Sequence, residues 1–192
     1  MRAAVRLLDR LLCMLQGVYE FSHDPQCILR LQLSSSAHTV VMGAQTVFKG
    51  EPVLALHAWN AHMPKIPPEG ADLAWALRLR RRLVHSFNHI ARLMKDDLHY
   101  SKVRAVCGSS ALFSFSDHQG GVQLMQRLGF RVIPYHQPLG RFGKFWENMF
   151  SWWLMWAYNT SSLNSRKFWR LQRTEIWMTR DEFIQRYGQD IP

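Results

Sequence analysis

Residues 50–64, GEPVLALHAWNAHMP, constrain the fold of this chain more than any other stretch. Val53, Leu54, Ala55 and Leu56 form a short apolar run behind a Gly-Glu-Pro turn, and a run so bounded predicts a buried strand. The run stops at His57-Ala58-Trp59-Asn60-Ala61-His62, and Pro64, Pro67 and Pro68 follow. Polar side chains at the end of a buried strand sit where α/β proteins place ligands. His57 and Asn60 are therefore the candidate catalytic residues. His57 is the candidate general base, because an unperturbed imidazole titrates near neutrality. Trp59 and His62 join them as candidate ligand-binding residues. A structural role stands beside this one: a buried histidine satisfied by backbone, and an asparagine that ties down the turn before Pro64.

The longest helical signal runs over residues 71–98. Leu73, Leu77, Val84, Phe87, Ala91 and Met94 recur in steps of three, four and seven, which predicts one core face. The opposite face gathers Arg78, Arg81, Arg82, His85, His89 and Arg92, a basic stripe suited to an anion or to plain solvation. His85 and His89 have the i, i+4 spacing of two helical metal ligands. No carboxylate lies between them, position 86 being Ser, and the arginine face would repel a cation. No metal and no cofactor is therefore expected.

Short β-like segments surround these two features. Residues 27–34, CILRLQLS, alternate, and 39–48 hold one or two further strands; with 52–59 they predict an antiparallel meander. Residues 103–107 read as a strand running into Gly108-Ser109-Ser110. A helix over 122–128 stopped by Gly129, and a strand over 130–135, then suggest a crossover with parallel strands. Ser86, Ser109 and Ser110 are further candidate ligand-binding residues. The Gly108–Ser110 turn lacks the GxSxG elbow of a serine nucleophile. Residues 175–178 form a last strand, and Thr179-Arg180-Asp181-Glu182 is a capping box for a final helix.

The N-terminal residues 3–18 have helical spacing, with Val5, Leu8, Leu12 and Leu15 on one face and Arg2, Arg6, Asp9 and Arg10 opposite. That face packs on the domain or lies on a membrane. The charges at Arg6, Asp9 and Arg10 interrupt any signal-peptide core, and no run reaches the roughly 20 apolar residues of a spanning helix. Cys13, Cys27 and Cys107 lack CxxC spacing, as expected of reduced thiols in a cytosolic protein.

Charge and aromatic content point to a surface of action. The chain has 24 Lys+Arg against 14 Asp+Glu, a formal charge of +10, which favours an anionic partner. Residues 140–158, GRFGKFWENMFSWWLMWAY, form a helix apolar almost all round. Trp146, Met149, Phe150, Trp153 and Ala157 make a core stripe, with Phe145, Trp152, Met155 and Trp156 off it. Lys144 precedes the most apolar part, and Arg166, Lys167 and Arg170 follow it. Aromatics between basic clusters suit a protein lying on an anionic bilayer; full burial of the helix is the competing expectation.

Two resemblances accompany these motifs. Residues 123–130, QLMQRLGF, resemble the helix-to-strand passage of GNAT-type acetyltransferases, but the glycine-rich pyrophosphate loop of that family is missing. The chain more broadly resembles the YkoP-like family, small bacterial proteins found beside or fused to polysaccharide deacetylases. The similar segments are KGEPVLALHAWN (49–60), the helix with Ser86, VRAVCGSS (103–110), RLGF (127–130) and EIWMTRDEFIQRYG (175–188). In that family the strand end often reads LHxxNE; His57 and Asn60 match it, and Ala61 stands where the acidic residue would be. The resemblance implies an association with envelope glycan or lipid metabolism and no particular reaction.

The expectation from sequence is one α/β or α+β domain over residues 1–192. It would have a mixed, mostly antiparallel sheet with packed helices. The expected role is a peripheral membrane or envelope-linked accessory protein that binds an anionic lipid or glycolipid and works beside envelope polysaccharide or glycolipid enzymes. Its expected place is cytoplasmic, the inner face of the membrane included. The anion- or membrane-contacting residues would be Arg78, Arg81, Arg82, Arg92, Lys144, Trp152, Trp156, Arg166, Lys167 and Arg170. The alternatives are a transferase or hydrolase using His57, and a nucleic-acid binder using the Arg78 to Arg92 face. The second is disfavoured because no nucleic-acid motif accompanies the charge.

Overall fold

The structure is a computed structural model and describes residues 2–110, 120–136, 140–158, 160–163 and 173–189. The apolar run behind Gly50 forms β4 (Pro52–Ala58). Its antiparallel partner is β1 (Leu29–Ser35), in a register that sets Leu29 against Ala58 and Ser35 against Pro52. The expected meander is thereby corrected. The segment between them folds into a hairpin of β2 (Val40–Met42) and β3 (Gln45–Val47), which makes its own two-stranded sheet. The hairpin turns at Gly43, whose φ of +64° is readily reached only by glycine.

On its other side β4 pairs with β5 (Ala105–Ser110), and this pair is parallel. Parallel neighbours need a long crossover, which α2 (Leu73–Asp96) supplies. The expected crossover from β5 through α3 (Gly120–Arg127) to β6 (Arg131–Pro134) is present, although the two strands are not neighbours. Those strands run parallel, but β7 (Thr174–Thr179) lies between them and is antiparallel to both. The sheet order is thus β1-β4-β5-β7-β6, a mixed and mostly antiparallel arrangement. The Thr179–Glu182 capping box is present and starts α5 (Arg180–Tyr187).

Alternation along the strands gives the sheet two unlike faces. Leu31, Leu54, Leu56, Val106, Ile176 and Met178 form an apolar face that packs against α2 and α5. Phe87 is fully buried at its centre, its ring 5.2 Å from Phe130, 5.7 Å from Phe183 and 5.1 Å from Tyr187. The inward stripe of α2 is Trp75, Leu79, Leu83, Phe87, Ile90, Ala91 and Met94. Leu73 and Leu77, expected in the core, are 76% and 53% exposed. The cause lies at the N-cap: Asp72 accepts from the Trp75 amide, and the Trp75 indole turns inward to donate to the Pro64 carbonyl at 3.0 Å. Arg78, Arg81 and Arg92 are exposed, and Arg82 is half-buried, donating to the His62 carbonyl at 2.8 Å.

The other face is mixed: Val53, Ala105 and Trp177 pack against Val40, Met42 and Val47 of the β2–β3 hairpin, while the polar part of the face, with Arg30 and Glu175, lies toward α1 (Arg2–Leu15) and α4 (Gly140–Tyr158). Here the residue of α1 that is buried is Asp9, because it meets Arg30 of β1 at 3.7 Å. Leu8 and Leu15 of the expected inward stripe are exposed with Leu7, Leu11 and Met14, while Val5 and Leu12 are half-buried. The helix has turned a polar residue inward to match a polar sheet. In α4, Phe142, Phe145, Trp146 and Trp153 are exposed, whereas Met155 and Ala157 are buried. The expected core stripe is therefore split, and Trp152 and Trp156 are half-buried.

Candidate functional site

Strand register builds the site. Arg30 pairs with His57, Gln32 with Ala55, Ala55 with Cys107, Cys107 with Trp177, and Ser109 with Glu175. Residues paired across strands share a face, so these side chains all look toward the polar side of the sheet. There all but Arg30 line a cavity of about 230 Å³, which Ser36, His38, Tyr135 and His136 also border. That is below the roughly 300–1,000 Å³ of pockets for drug-sized ligands, so it suits a small polar group.

His57 contacts Gln32, its Nε2 lying 2.9 Å from Gln32 Oε1. The Gln32 amide nitrogen donates to the Gln16 carbonyl at 2.6 Å, which leaves Oε1 as the acceptor. His57 therefore carries its proton on Nε2 and offers Nδ1 as the basic nitrogen. Burial, with the Arg30 charge beside it, holds its pKa below the ordinary histidine value and keeps the ring neutral.

Glu175 is buried and held at both oxygens. Oε1 accepts from the His136 amide at 2.8 Å, and Oε2 accepts from the Trp177 indole at 2.9 Å. His38 Nε2 lies 3.4 Å from Oε2, with its ring 4.8 Å from that of His136. Burial and the neighbouring Glu175 charge push the Cys107 thiol up to about 12, so it is no nucleophile at neutral pH. At the rim, Tyr135 donates to Glu147 of α4 at 3.0 Å, and Arg173 pairs with the same carboxylate at 3.2 Å. The arrangement can bind a small polar group and take up a proton at His57; it offers no activated nucleophile among the described residues.

Of the candidates read from sequence whose side chains are described, His57 and Ser109 line this cavity and the others do not. Trp59 is buried under the Arg30 guanidinium, 5.0 Å from its ring, and stacks on His62 at 3.6 Å. His62 Nδ1 bonds the Cys27 carbonyl at 2.8 Å, and Asn60 is half-buried in the turn. Ser86 is fully buried on the far side of the sheet, where its Oγ accepts from the Ile28 amide and donates to the Arg82 carbonyl. It pins a loop to α2. The side chains of Ser110 and Lys144, and residues Arg166, Lys167 and Arg170, lie outside the described set. His85 and His89 do not stand on an open basic face: both are half-buried and meet Asp24, at 2.6 Å and 3.9 Å.

The anion-contact candidates fall on two sides. Arg78, Arg81 and Arg92 belong to α2 on the apolar face, and Trp152 and Trp156 to α4 on the polar face. One flat surface cannot touch both sets. Gln32, His38, Cys107, Tyr135, His136 and Glu175 were missed from sequence. The only local signal was alternation, which marks Gln32 and Glu175 as polar positions within otherwise apolar strands.

A protein-family model described as the YkoP domain matches residues 1–187. No curated protein and no solved structure matches the chain.

Proposed function

The chain belongs to the YkoP domain family, and on that premise we propose that it is a peripheral membrane protein that binds an anionic lipid or glycolipid through α1 and α4. One observation carries the reading. These two packed helices expose Leu7, Leu11, Met14 and Leu15 together with Phe142, Phe145 and Trp146, side chains that a water-facing helical layer ordinarily avoids. Met14 and Leu15 are 75% and 83% exposed, and Phe142 is 74% exposed. Arg10 is exposed on the same helix as the leucines and supplies positive charge for lipid phosphates. No helix among the described residues is long and apolar enough to cross a membrane. The proposed contact therefore lies in the interface plane.

The test is co-sedimentation with vesicles. Wild-type protein is expected to bind anionic vesicles at low salt, to bind neutral ones less, and to be partly released as salt rises. Replacing Met14, Leu15, Phe142 and Trp146 together with serine is expected to lower vesicle partitioning at least ~100-fold, at roughly 1 kcal/mol or more per inserted side chain. The melting temperature should hardly change, since these side chains touch little of the core. Wild-type protein that ignores anionic vesicles at low salt, or a variant that binds as before, defeats the proposal. Self-association lost in the same variant would instead assign the surface to a second copy of the chain.

A second reading, a transferase or hydrolase acting on an envelope lipid or glycan, is favoured by the polar cavity with neutral His57 in it. A lowered histidine pKa means that the unfolded chain takes up a proton first as pH falls through 6.5, so His57 weakens the fold in acid. His57→Gln should therefore flatten part of the fall in melting temperature between about pH 7.5 and about pH 5.5. Parallel curves for the two proteins would mean that His57 titrates normally and is no poised base.

A further inference from the structure

The loop ahead of β1 and the middle of α2 bring together four donor groups from distant parts of the chain. Asp24 and Cys27 come from the loop, and His85 and His89 from one face of the helix. One ligand atom from each lies within 4.8 Å of all the others. Around a tetrahedral zinc ion, with bonds of about 2.0–2.3 Å, donor atoms lie roughly 3.3–3.8 Å apart. His85 Nε2 sits 2.6 Å from Asp24 Oδ2, and His89 Nε2 sits 3.9 Å from the same oxygen.

The backbone is already set for such a site. The Cys27 amide donates to the Asp24 carbonyl at 3.0 Å, closing a turn that keeps the two residues together. Asp24 Oδ1 accepts from the Gln26 amide at 2.7 Å, which leaves Oδ2 to face the histidines. The Ile28 amide donates to Ser86 at 3.0 Å and fixes the loop against α2 beside His85. A His–Asp hydrogen bond accounts for one of these pairs. The Cys27 thiol also meets the Ser22 and Ser86 hydroxyls, but neither contact accounts for a thiol and a second imidazole lying within 4.8 Å of the same carboxylate and of each other.

We propose that Asp24, Cys27, His85 and His89 form a four-coordinate binding site for a divalent transition ion of the zinc class. One thiolate, two imidazoles and one carboxylate are a borderline donor set that suits zinc and disfavours magnesium or calcium. The charges also balance. A thiolate and a carboxylate neutralise the doubly charged ion once Cys27 gives its thiol proton to solvent, so the loaded site is neutral beside Arg92. With four protein ligands the ion is structural: it joins the loop before β1 to the crossover helix. The site is separate from the α1–α4 surface and stands or falls independently of it.

Cobalt(II) added to the chelator-treated full chain tests this. One equivalent is expected to bind, with the visible bands of a tetrahedral ion and a near-ultraviolet thiolate-to-cobalt band, both abolished by zinc. Cys27→Ser should lose the thiolate band, whereas a Cys13→Ser, Cys107→Ser protein should keep it. His89→Gln should weaken binding roughly 100-fold or more. Zinc at a hundredfold excess over its Kd should raise the melting temperature by roughly 5–10 °C. Because Cys27 is buried and its replacement can disturb folding, Asp24→Asn serves as a second, half-exposed variant and should also weaken uptake. No uptake by wild-type protein, a spectrum without the thiolate band, or undiminished binding by both His89→Gln and Asp24→Asn overturns the assignment.

Discussion

Replacing Arg30 with methionine is expected to destabilise the protein by about 3–5 kcal/mol at neutral pH, the usual result of stranding one member of a buried ion pair. Arg30 and Asp9 are both nearly inaccessible, and Arg30 also reaches Glu20 at 2.9 Å and lies over the Trp59 ring. Without the guanidinium, Asp9 keeps the Tyr158 hydroxyl, at 3.2 Å, and the more distant Arg10 charge. Burial already raises the Asp9 pKa and Arg30 is the main force holding it down, so the variant raises it further. An acid with a raised folded-state pKa weakens the fold above that pKa and ceases to do so once protonated. The deficit should therefore shrink as pH falls into the carboxylate range. Replacing Asp9 with leucine in the same protein removes the stranded charge and should recover most of the loss. Urea midpoints for the two single variants and the double variant measure this. An Arg30→Met loss below about 1 kcal/mol would mean that water reaches Asp9 and that the polar layer under α1 is not sealed.

Phe87→Ala should cost a similar ~3–5 kcal/mol for a different reason. Phe87 has no exposed surface and joins α2 to Phe130, Phe183 and Tyr187. Those three rings come from two further parts of the chain, Phe130 ahead of β6 and Phe183 with Tyr187 on α5, so the hole left by truncation cannot be refilled by one neighbour. Phe87→Leu keeps most of the volume and should lose less than half as much, with no dependence on pH. A loss under about 1.5 kcal/mol for the alanine variant would show that the cluster collapses easily and does not anchor the crossover helix.

What could be read from sequence was what neighbouring residues decide. The Thr179–Glu182 cap, the Gly129 stop at φ +91° and the short apolar strand behind Gly50 depend on contacts a few residues apart. The inward phase of α2 was legible from Phe87 onward. It was misread at Leu73 and Leu77 because the Asp72 cap and the Trp75 anchor on Pro64 set the first turns. The face of α1 was misread because its partner is Arg30, and no property of residues 3–18 announces a polar sheet above them. The candidate site was legible only at His57 and Ser109. Glu175, His136 and Gln32 reach the same cavity only through pairing of strands distant in sequence, as Asp24 and Cys27 reach His85 and His89 only through the crossover. Periodicity reports which side of an element is buried, not which other element buries it.

Because β7 lies between β5 and β6, the chain cannot assemble its sheet in the order in which it is made. When residues 105–110 and 131–134 have been synthesised, the two strands have no ladder to share, since the slot between them belongs to residues 174–179. Until that segment arrives, β5 presents one open edge and β6 two, and open edges invite pairing with other chains. Trp177 and Met178, both buried in the finished protein, then enter last and join the two halves. Closure of the fold is thus a late, long-range event, of the kind that makes folding slow and leaves the nascent chain dependent on protection from its neighbours.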